Sequence, residues 1–460
     1  MDRVALSSPP TFDPSSFRAF RFRAREIDEL GRVTLRYALD ERIELVERYE
    51  LPIATPIGAA ERARVDGLLA LLHWVAGVSY FKTALPAAIV CEAGAPSPAA
   101  AALLTALYSE GLGELAFTNR LPALPRPVFP VAPRGEGPPV DDPPPLARVL
   151  VPIGGGKDSI VALEIARRAG LEVALFSVGD APPIARTAQV AALPHLIACR
   201  QLDPQLGALN RAGALNGHVP VTAIVSCVAL LVAALHRFDA VVMANERSAS
   251  NGNVRWDGIE VNHQFSKSGR AETLLRAALA EASSEVQLFS LLRPASELAI
   301  ARAFARLAPY HHAFTSCNAI FRLDPELRAA SWCCDCPKCR FVFLILAPFM
   351  APAALREIFG VDLLDDESQF EGFALLTATG GSKPFECVGE ERESLAAIRL
   401  LAADPRWREQ SVVRRLAAEV LPRFADDTDD AAELDAILAL GEPHAVPAAL
   451  LPALHAVLRA

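Results

Sequence analysis

The sequence predicts an α/β protein: a doubly wound parallel sheet, preceded by an N-terminal α+β domain and followed by a mostly helical C-terminal region. Three observations carry this. Residues 148–153 are a short apolar run that enters a triple glycine, a helical stretch (160–169) and a second apolar run (171–178). Strand, helix and strand at that spacing form a βαβ unit, which places two parallel strands side by side. Upstream, residues 20–51 alternate polar and apolar, the mark of half-buried strands. Between them, residues 122–145 hold ten prolines in 24 positions, a break between domains.

Taken in order, the alternation over 20–51 is interrupted at Leu30-Gly31 and Asp40-Glu41, which makes it a β-meander. Stretches 59–76 and 99–110 have helical periodicity. Residues 1–121 are therefore assigned to the N-terminal α+β domain, and 122–145 to a Pro-rich linker or wrapping segment. A domain spanning 146–345 follows; strand 195–202, helix 219–237 and strand 239–244 continue its alternation. Residues 346–460 are mostly helical, interrupted by a polar insertion at 380–390, and complete the site.

Composition excludes several classes. The chain has 460 residues, 52% hydrophobic, with a net charge of −9. An acidic chain is a poor non-specific partner for nucleic acid. The longest apolar run, 219–235, contains Pro220, Thr222 and Ser226 and is short of the ~20 residues a membrane span needs. Residues 1–17 lack the apolar core of a secretory signal. Nine cysteines are too few and odd in number for a disulfide scaffold; five of them crowd between Cys317 and Cys339. A cytoplasmic protein without nucleic-acid partner or membrane span is expected. The five lysines (Lys82, Lys157, Lys267, Lys338, Lys383) stand against forty arginines. Where arginine is the default cation, a retained lysine suggests a site that wants a compact ammonium, and Lys157, Lys267 and Lys383 sit in polar, Gly- or Ser-rich blocks.

Gly154-Gly155-Gly156-Lys157-Asp158-Ser159 leaves a strand and opens a helix. It matches neither G-x-x-x-x-G-K-[ST] nor G-x-G-x-x-G. Glycine N–H groups at a helix N-terminus can close on an anion. Ser159 adds a hydroxyl, Lys157 a positive charge, and Asp158 either a Mg²⁺ ligand or a helix cap. A plain tight βα turn is the competing reading. Cys333, Cys336 and Cys339 are spaced C-x₂-C-x₂-C, with Cys317 upstream; four thiolates suit a tetrahedral zinc, with an iron–sulfur cluster or a metal-free loop as alternatives and Cys334 able to replace Cys333. Four of eight asparagines fall in 245–253 and 261–268. Asn245, Glu246, Arg247, Asn262, His263 and Lys267 there read as a substrate shell, because dense polar groups after a buried strand need ligands or one another. A solvated loop is the alternative.

The glycine loop resembles the S-G-G-x-D-S pyrophosphate loop of the ATP α-hydrolase superfamily, with Gly154 in place of the usual serine. That resemblance implies an adenine-nucleotide α-hydrolase-like fold and cleavage of ATP to AMP and pyrophosphate. The stretch 293–300 loosely resembles a later helix start of those enzymes, and the cysteine set is similar to the structural metal site of the 7-cyano-7-deazaguanine synthases. VPIGGGKDS, GHVPVTA, ANERSASNGN, VNHQFSKS, CDCPKCRFVF and GGSKPFECVG together resemble the UDP-N-acetylmuramoyl-L-alanyl-L-glutamate epimerases of the MurL type, over nearly the whole chain. The resemblance implies the substrate UDP-MurNAc-L-Ala-L-Glu, adenylation of its α-carboxylate, and epimerisation to D-Glu for peptidoglycan synthesis.

On that reading Gly154, Gly155, Gly156 and Ser159 bind pyrophosphate, Lys157 screens it and Asp158 holds Mg²⁺. His263 is the first candidate for the proton-transfer base, Glu246 the next and Cys387 a distant third. Lys267, Lys383, Arg247 and Lys82 clamp the substrate's diphosphate or carboxylates. Zinc at Cys317, Cys333, Cys336 and Cys339 is structural. The alternatives are another pyrophosphate-loop ligase and a non-catalytic nucleotide-binding module.

Overall fold

A computed structural model describes residues 12–133, 145–256, 258–282, 284–321, 326, 328–378, 384–424 and 430–459. In chain order its strands are β1 (Ala19–Ile27), β2 (Arg32–Leu39), β3 (Ile43–Glu50), β4 (Ala88–Cys91), β5 (Arg148–Pro152), β6 (Glu172–Val178), β7 (His195–Gln201), β8 (Ala240–Met243), β9 (Val254–Trp256), β10 (Ile259–Val261) and β11 (Gln287–Ser290). The chain divides into two compact units that interleave in sequence. Unit 1 gathers residues 1–143, 198–237 and 273–285; unit 2 gathers 144–197, 238–272 and 286–460.

Unit 1 is built on the meander. β1 pairs antiparallel with β2, and β2 with β3. The Asp28 carboxylate accepts the N–H groups of Leu30 and Arg32 at 2.9 Å, closing the first turn where the sequence breaks. Alternation then works as expected: Phe20, Phe22, Val33, Leu35, Tyr37, Leu45 and Tyr49 are buried on one side. Helix Ala59–Ala76 covers them, with the Tyr37 hydroxyl donating to the His73 carbonyl at 3.0 Å. β4 adds parallel to β1. The described part of the Pro-rich segment wraps along unit 1: Val128 bridges Ala88, and buried Phe129 packs on Phe22 and Tyr108. Residues 134–144 of that segment lie outside the described residues.

Two elements differ from expectation. The end of β7 does not extend a parallel sheet; Cys199–Gln201 pair antiparallel with β3. Helix Val221–Leu235 belongs to unit 1, against Ala59–Ala76. Its residues are apolar almost all round, so periodicity gave no face to orient it.

Unit 2 carries a parallel sheet in the order β11-β8-β5-β6. β5 lies between β6 and β8, so the chain leaves it towards one side and later returns on the other. Such a reversal opens a crevice beyond the strands' carboxyl ends, where open α/β sheets bind ligands. The glycine loop follows β5, and 244–250 follows β8. The apolar core of this unit runs from β5 and helix Lys157–Arg168 through helices Glu297–Phe304, Pro337–Leu346 and Glu391–Ala403. The expected α/β class with a mostly parallel sheet is therefore present, and the C-terminal region is helical. Among the described residues no helix is long and apolar enough to cross a membrane.

Candidate active site and cysteine cluster

The glycine loop is shaped by its neighbours. Gly155 has φ +78°, and a Cβ there would lie 2.6 Å from Pro183 Cβ and 2.9 Å from the Ile184 nitrogen. Only glycine fits both the conformation and the space. At Gly154 nothing lies within 4 Å, so the departure from serine leaves room rather than relieving a clash. Helix Lys157–Arg168 begins at Gly156 with no side chain capping it. Its first N–H groups are thus available to an anion at the positive end of the helix dipole. The Ser159 hydroxyl donates to the Gly156 carbonyl at 3.0 Å.

Lys157 is fully buried, and its ammonium is ion-paired with both Asp158 and Glu297. Burial disfavours the charged amine, but the two carboxylates outweigh it and hold Lys157 above its ordinary value. Glu297 opens helix Glu297–Phe304 under the cap of Ser296, whose hydroxyl accepts the Ala299 N–H at 3.1 Å. Burial pushes Glu297 up, with Lys157 opposing. Asp158 is held low by Lys157, Lys338 and Lys267 against burial.

Lys267 extends this cluster. Its ammonium lies 3.3 Å from Gln264 Oε1 and 3.6 Å from Cys387 Sγ, and it feels Glu246, Asp158 and Glu297. Lys338 donates to the Cys387 carbonyl. Burial would raise the Cys387 thiol, but Lys267, a hydrogen bond with His263, and Lys338 bring it down to about 7. Glu386 lies beside His263 electrostatically and accepts from Asn318 Nδ2. Buried Arg293 organises the surroundings: it pairs with Glu272 at 3.0 Å and donates to the carbonyls of Glu246 (2.7 Å) and Lys267.

Of the residues singled out in the sequence, Gly155, Gly156, Lys157, Asp158, Ser159, Glu246, His263 and Lys267 fall in unit 2 around this cluster. Others prove to be engaged in holding the fold. Asn245 donates to Ser290 Oγ at 3.0 Å. Asn262 donates to the Ala249 carbonyl and accepts the Gln264 N–H. Arg247 donates to the carbonyls of Ile437 and Ala439. Lys82 lies in unit 1, where its buried ammonium donates to Asn216 Oδ1 at 2.9 Å and to the Leu215 carbonyl; burial lowers it to about 8. Lys383 lies outside the described residues. Glu297, Lys338 and Glu386 were not selected from the sequence. The scarcity of lysine was the available signal for Lys338, and the quoted stretch 293–300 for Glu297.

The cysteines converge as expected. The sulfurs of Cys317, Cys333, Cys336 and Cys339 all lie within 4.8 Å of one another. Cys339 is 3.5 Å from Cys336 and 3.7 Å from Cys333. A tetrahedral zinc with Zn–S bonds of about 2.3 Å separates its sulfurs by roughly 3.8 Å, so the four fit that ion. The thiols share hydrogen bonds among themselves, which push Cys317 down and Cys339 up. Cys334 turns away, its sulfur 3.4 Å from the Phe359 carbonyl, and does not replace Cys333.

Residues 11–291 match the MurL N-terminal domain, and residues 313–431 match the MurL C-terminal domain. Three relatives share the name UDP-N-acetyl-alpha-D-muramoyl-L-alanyl-L-glutamate epimerase. The protein of Micromonospora sp. is 47% identical, over 93% of this chain and 96% of its own length. That of Salinispora tropica is 46% identical, over 93% and 94%. That of Xanthomonas oryzae pv. oryzae is 41% identical, over 95% and 97%. With both halves matched and such identity along nearly its full length, the chain belongs to the MurL family of epimerases.

Proposed function

We propose that the chain inverts the terminal L-Glu of UDP-MurNAc-L-Ala-L-Glu to D-Glu for peptidoglycan precursor synthesis, after ATP has adenylated the α-carboxylate. The observation that carries this reading is one continuous, partly buried cluster in unit 2. It joins an uncapped helix N-terminus with Lys157, Asp158 and Glu297 to a titratable group pair, His263 and Cys387, through Lys267 and Lys338.

The chemistry explains the need for both ends. A free α-carboxylate makes its own α-proton very weakly acidic, since the carbanion forms beside a negative charge. An acyl phosphate anhydride removes that charge, and an ordinary side chain can then take the proton. The first-turn N–H groups and Lys157 bind pyrophosphate, and Asp158, with Glu297 close by, offers carboxylate oxygens to Mg²⁺. Lys267 stabilises negative charge developing on the glutamyl carbonyl. His263 is the proton-transfer base. Its position is fixed by its backbone N–H donating to Asn253 Oδ1 at 2.9 Å. The four cysteines hold a structural zinc, which ties residue 317 to the helix that carries Lys338.

Incubation with ATP, Mg²⁺ and UDP-MurNAc-L-Ala-L-Glu in D₂O tests this. AMP together with D-Glu carrying an α-deuteron is the expected result. Inversion without AMP, or AMP without inversion, overturns it.

A further inference from the structure

Cys387 is more than a polar neighbour of the site. Its sulfur faces the Lys267 ammonium at 3.6 Å and is hydrogen-bonded with the His263 side chain. The next side chain along, Glu386, lies beside His263 and is itself held by Asn318. Thiol and imidazole together are the parts of an activated nucleophile, a base within reach of the sulfur, and the Glu386 carboxylate adds a negative charge near that base. The arrangement is held from outside by Asn253, whose Oδ1 accepts the His263 N–H at 2.9 Å and whose Nδ2 donates to the Pro384 carbonyl at 2.8 Å, fixing the loop that carries the thiol. Lys267 and Lys338 each interact with Asp158 of the glycine loop as well as with Cys387.

Resting on the adenylation reading above, we propose that Cys387 is a covalent nucleophile that accepts the glutamyl group from the acyl adenylate as a thioester. The contact between Cys387 and His263 favours this over a pair of bases, because two bases acting on opposite faces of one carbon cannot also touch each other. A thiolate kept among ammonium groups near a mixed anhydride is the strongest nucleophile present.

The steps balance. The Cys387 thiolate attacks the glutamyl carbonyl; the C–S bond forms, the C–O bond to phosphorus breaks, and AMP leaves with that oxygen. The thioester, like the anhydride, acidifies the α-carbon. His263 takes the α-proton, a water on the other face protonates the planar enolate, the hydroxide left behind is neutralised by the proton His263 gives up, and Lys267 faces the enolate oxygen. Water then breaks the C–S bond, yielding the D-glutamyl carboxylate, the free thiolate and two protons, which leave to solvent.

The test is intact-mass analysis of acid-quenched enzyme after mixing with ATP, Mg²⁺ and UDP-MurNAc-L-Ala-L-Glu, beside pyrophosphate–ATP exchange on the same samples. Wild type and His263→Asn should gain the mass of one substrate acyl group on Cys387, with more of it in His263→Asn, where deprotonation and hydrolysis stall. Cys387→Ala should gain no mass and make no D-Glu while still exchanging pyrophosphate. Exchange in wild type and His263→Asn with no adduct in either overturns the thioester. Absence of exchange in wild type instead overturns the adenylation reading.

Discussion

Gly155→Ala isolates the loop's geometry from its charges. The substitution puts an L side chain at φ +78°, which costs about 1–2 kcal/mol. Its Cβ would also lie 2.6 Å from Pro183 Cβ, 2.7 Å from the Pro183 carbonyl carbon and 2.9 Å from the Ile184 nitrogen. Two of these three atoms are backbone at the start of helix Pro182–Ala191, so they cannot swing aside, and overpacking adds about 1–3 kcal/mol. A total of roughly 2–5 kcal/mol corresponds to a fall in Tm on the order of 10 °C. If the loop relieves the clash by moving about 1 Å, pyrophosphate–ATP exchange should drop on the order of 100-fold. Gly154→Ser is the control: open space surrounds that position, and both Tm and exchange should hold. Differential scanning calorimetry and the exchange assay read both variants. Wild-type Tm and exchange in Gly155→Ala would refute the argument that the backbone of 183–184 dictates glycine.

In unit 1, Arg200 Nε pairs with the fully buried Glu47 at 2.7 Å. Arg200→Met leaves that carboxylate unpaired and should cost about 3–5 kcal/mol in urea unfolding; Glu47→Gln should cost clearly less. Glu393, fully buried in the capping box of helix Glu391–Ala403, is raised by burial and by Glu297 to about 7. The folded protein therefore keeps a proton that the unfolded chain releases near its ordinary value. This group's contribution falls as pH rises from about 4.5 to 7, by roughly 3 kcal/mol. Glu393→Gln should flatten stability over that window, and an unchanged pH profile would count against it. Cys336→Ser removes one of four sulfurs, so elemental analysis should find about one zinc per chain in wild type and a large loss in the variant. A metal-free wild type would dismiss the zinc assignment.

Local signals in the sequence reported the glycine loop, the strand before it and the helix after it, because a βα turn is written in consecutive residues. The cysteine set was equally legible, since three of its four members span seven positions. The meander's breaks at Leu30-Gly31 and Asp40-Glu41 also fell where the turns lie. Convergence over long separations was not legible. Lys157 meets Glu297 across 140 positions and Lys267 meets Cys387 across 120, and no periodicity encodes either. Polar density marked the segments but not the partners: Asn245, Asn262 and Arg247 each make hydrogen bonds within the fold. Lysine scarcity drew attention to Lys157, Lys267 and Lys383; Lys82, a fourth candidate, donates to Asn216 and Leu215 in unit 1.

The interleaving of the two units bears on how the chain is made. Unit 1 cannot close until residue 285 has been synthesised, although its meander ends at residue 50. At about 5–20 residues per second, residues 144–285 take on the order of ten to thirty seconds to emerge. Throughout that interval β5 and β6 await β8 and then β11, and apolar strand edges are exposed on the ribosome. A nascent chain of this topology is a natural client for a holding chaperone, and cutting the gene at the Pro-rich segment would split unit 1 alone: the first fragment would lack residues 198–237 and 273–285, which the second would carry beside the whole of unit 2.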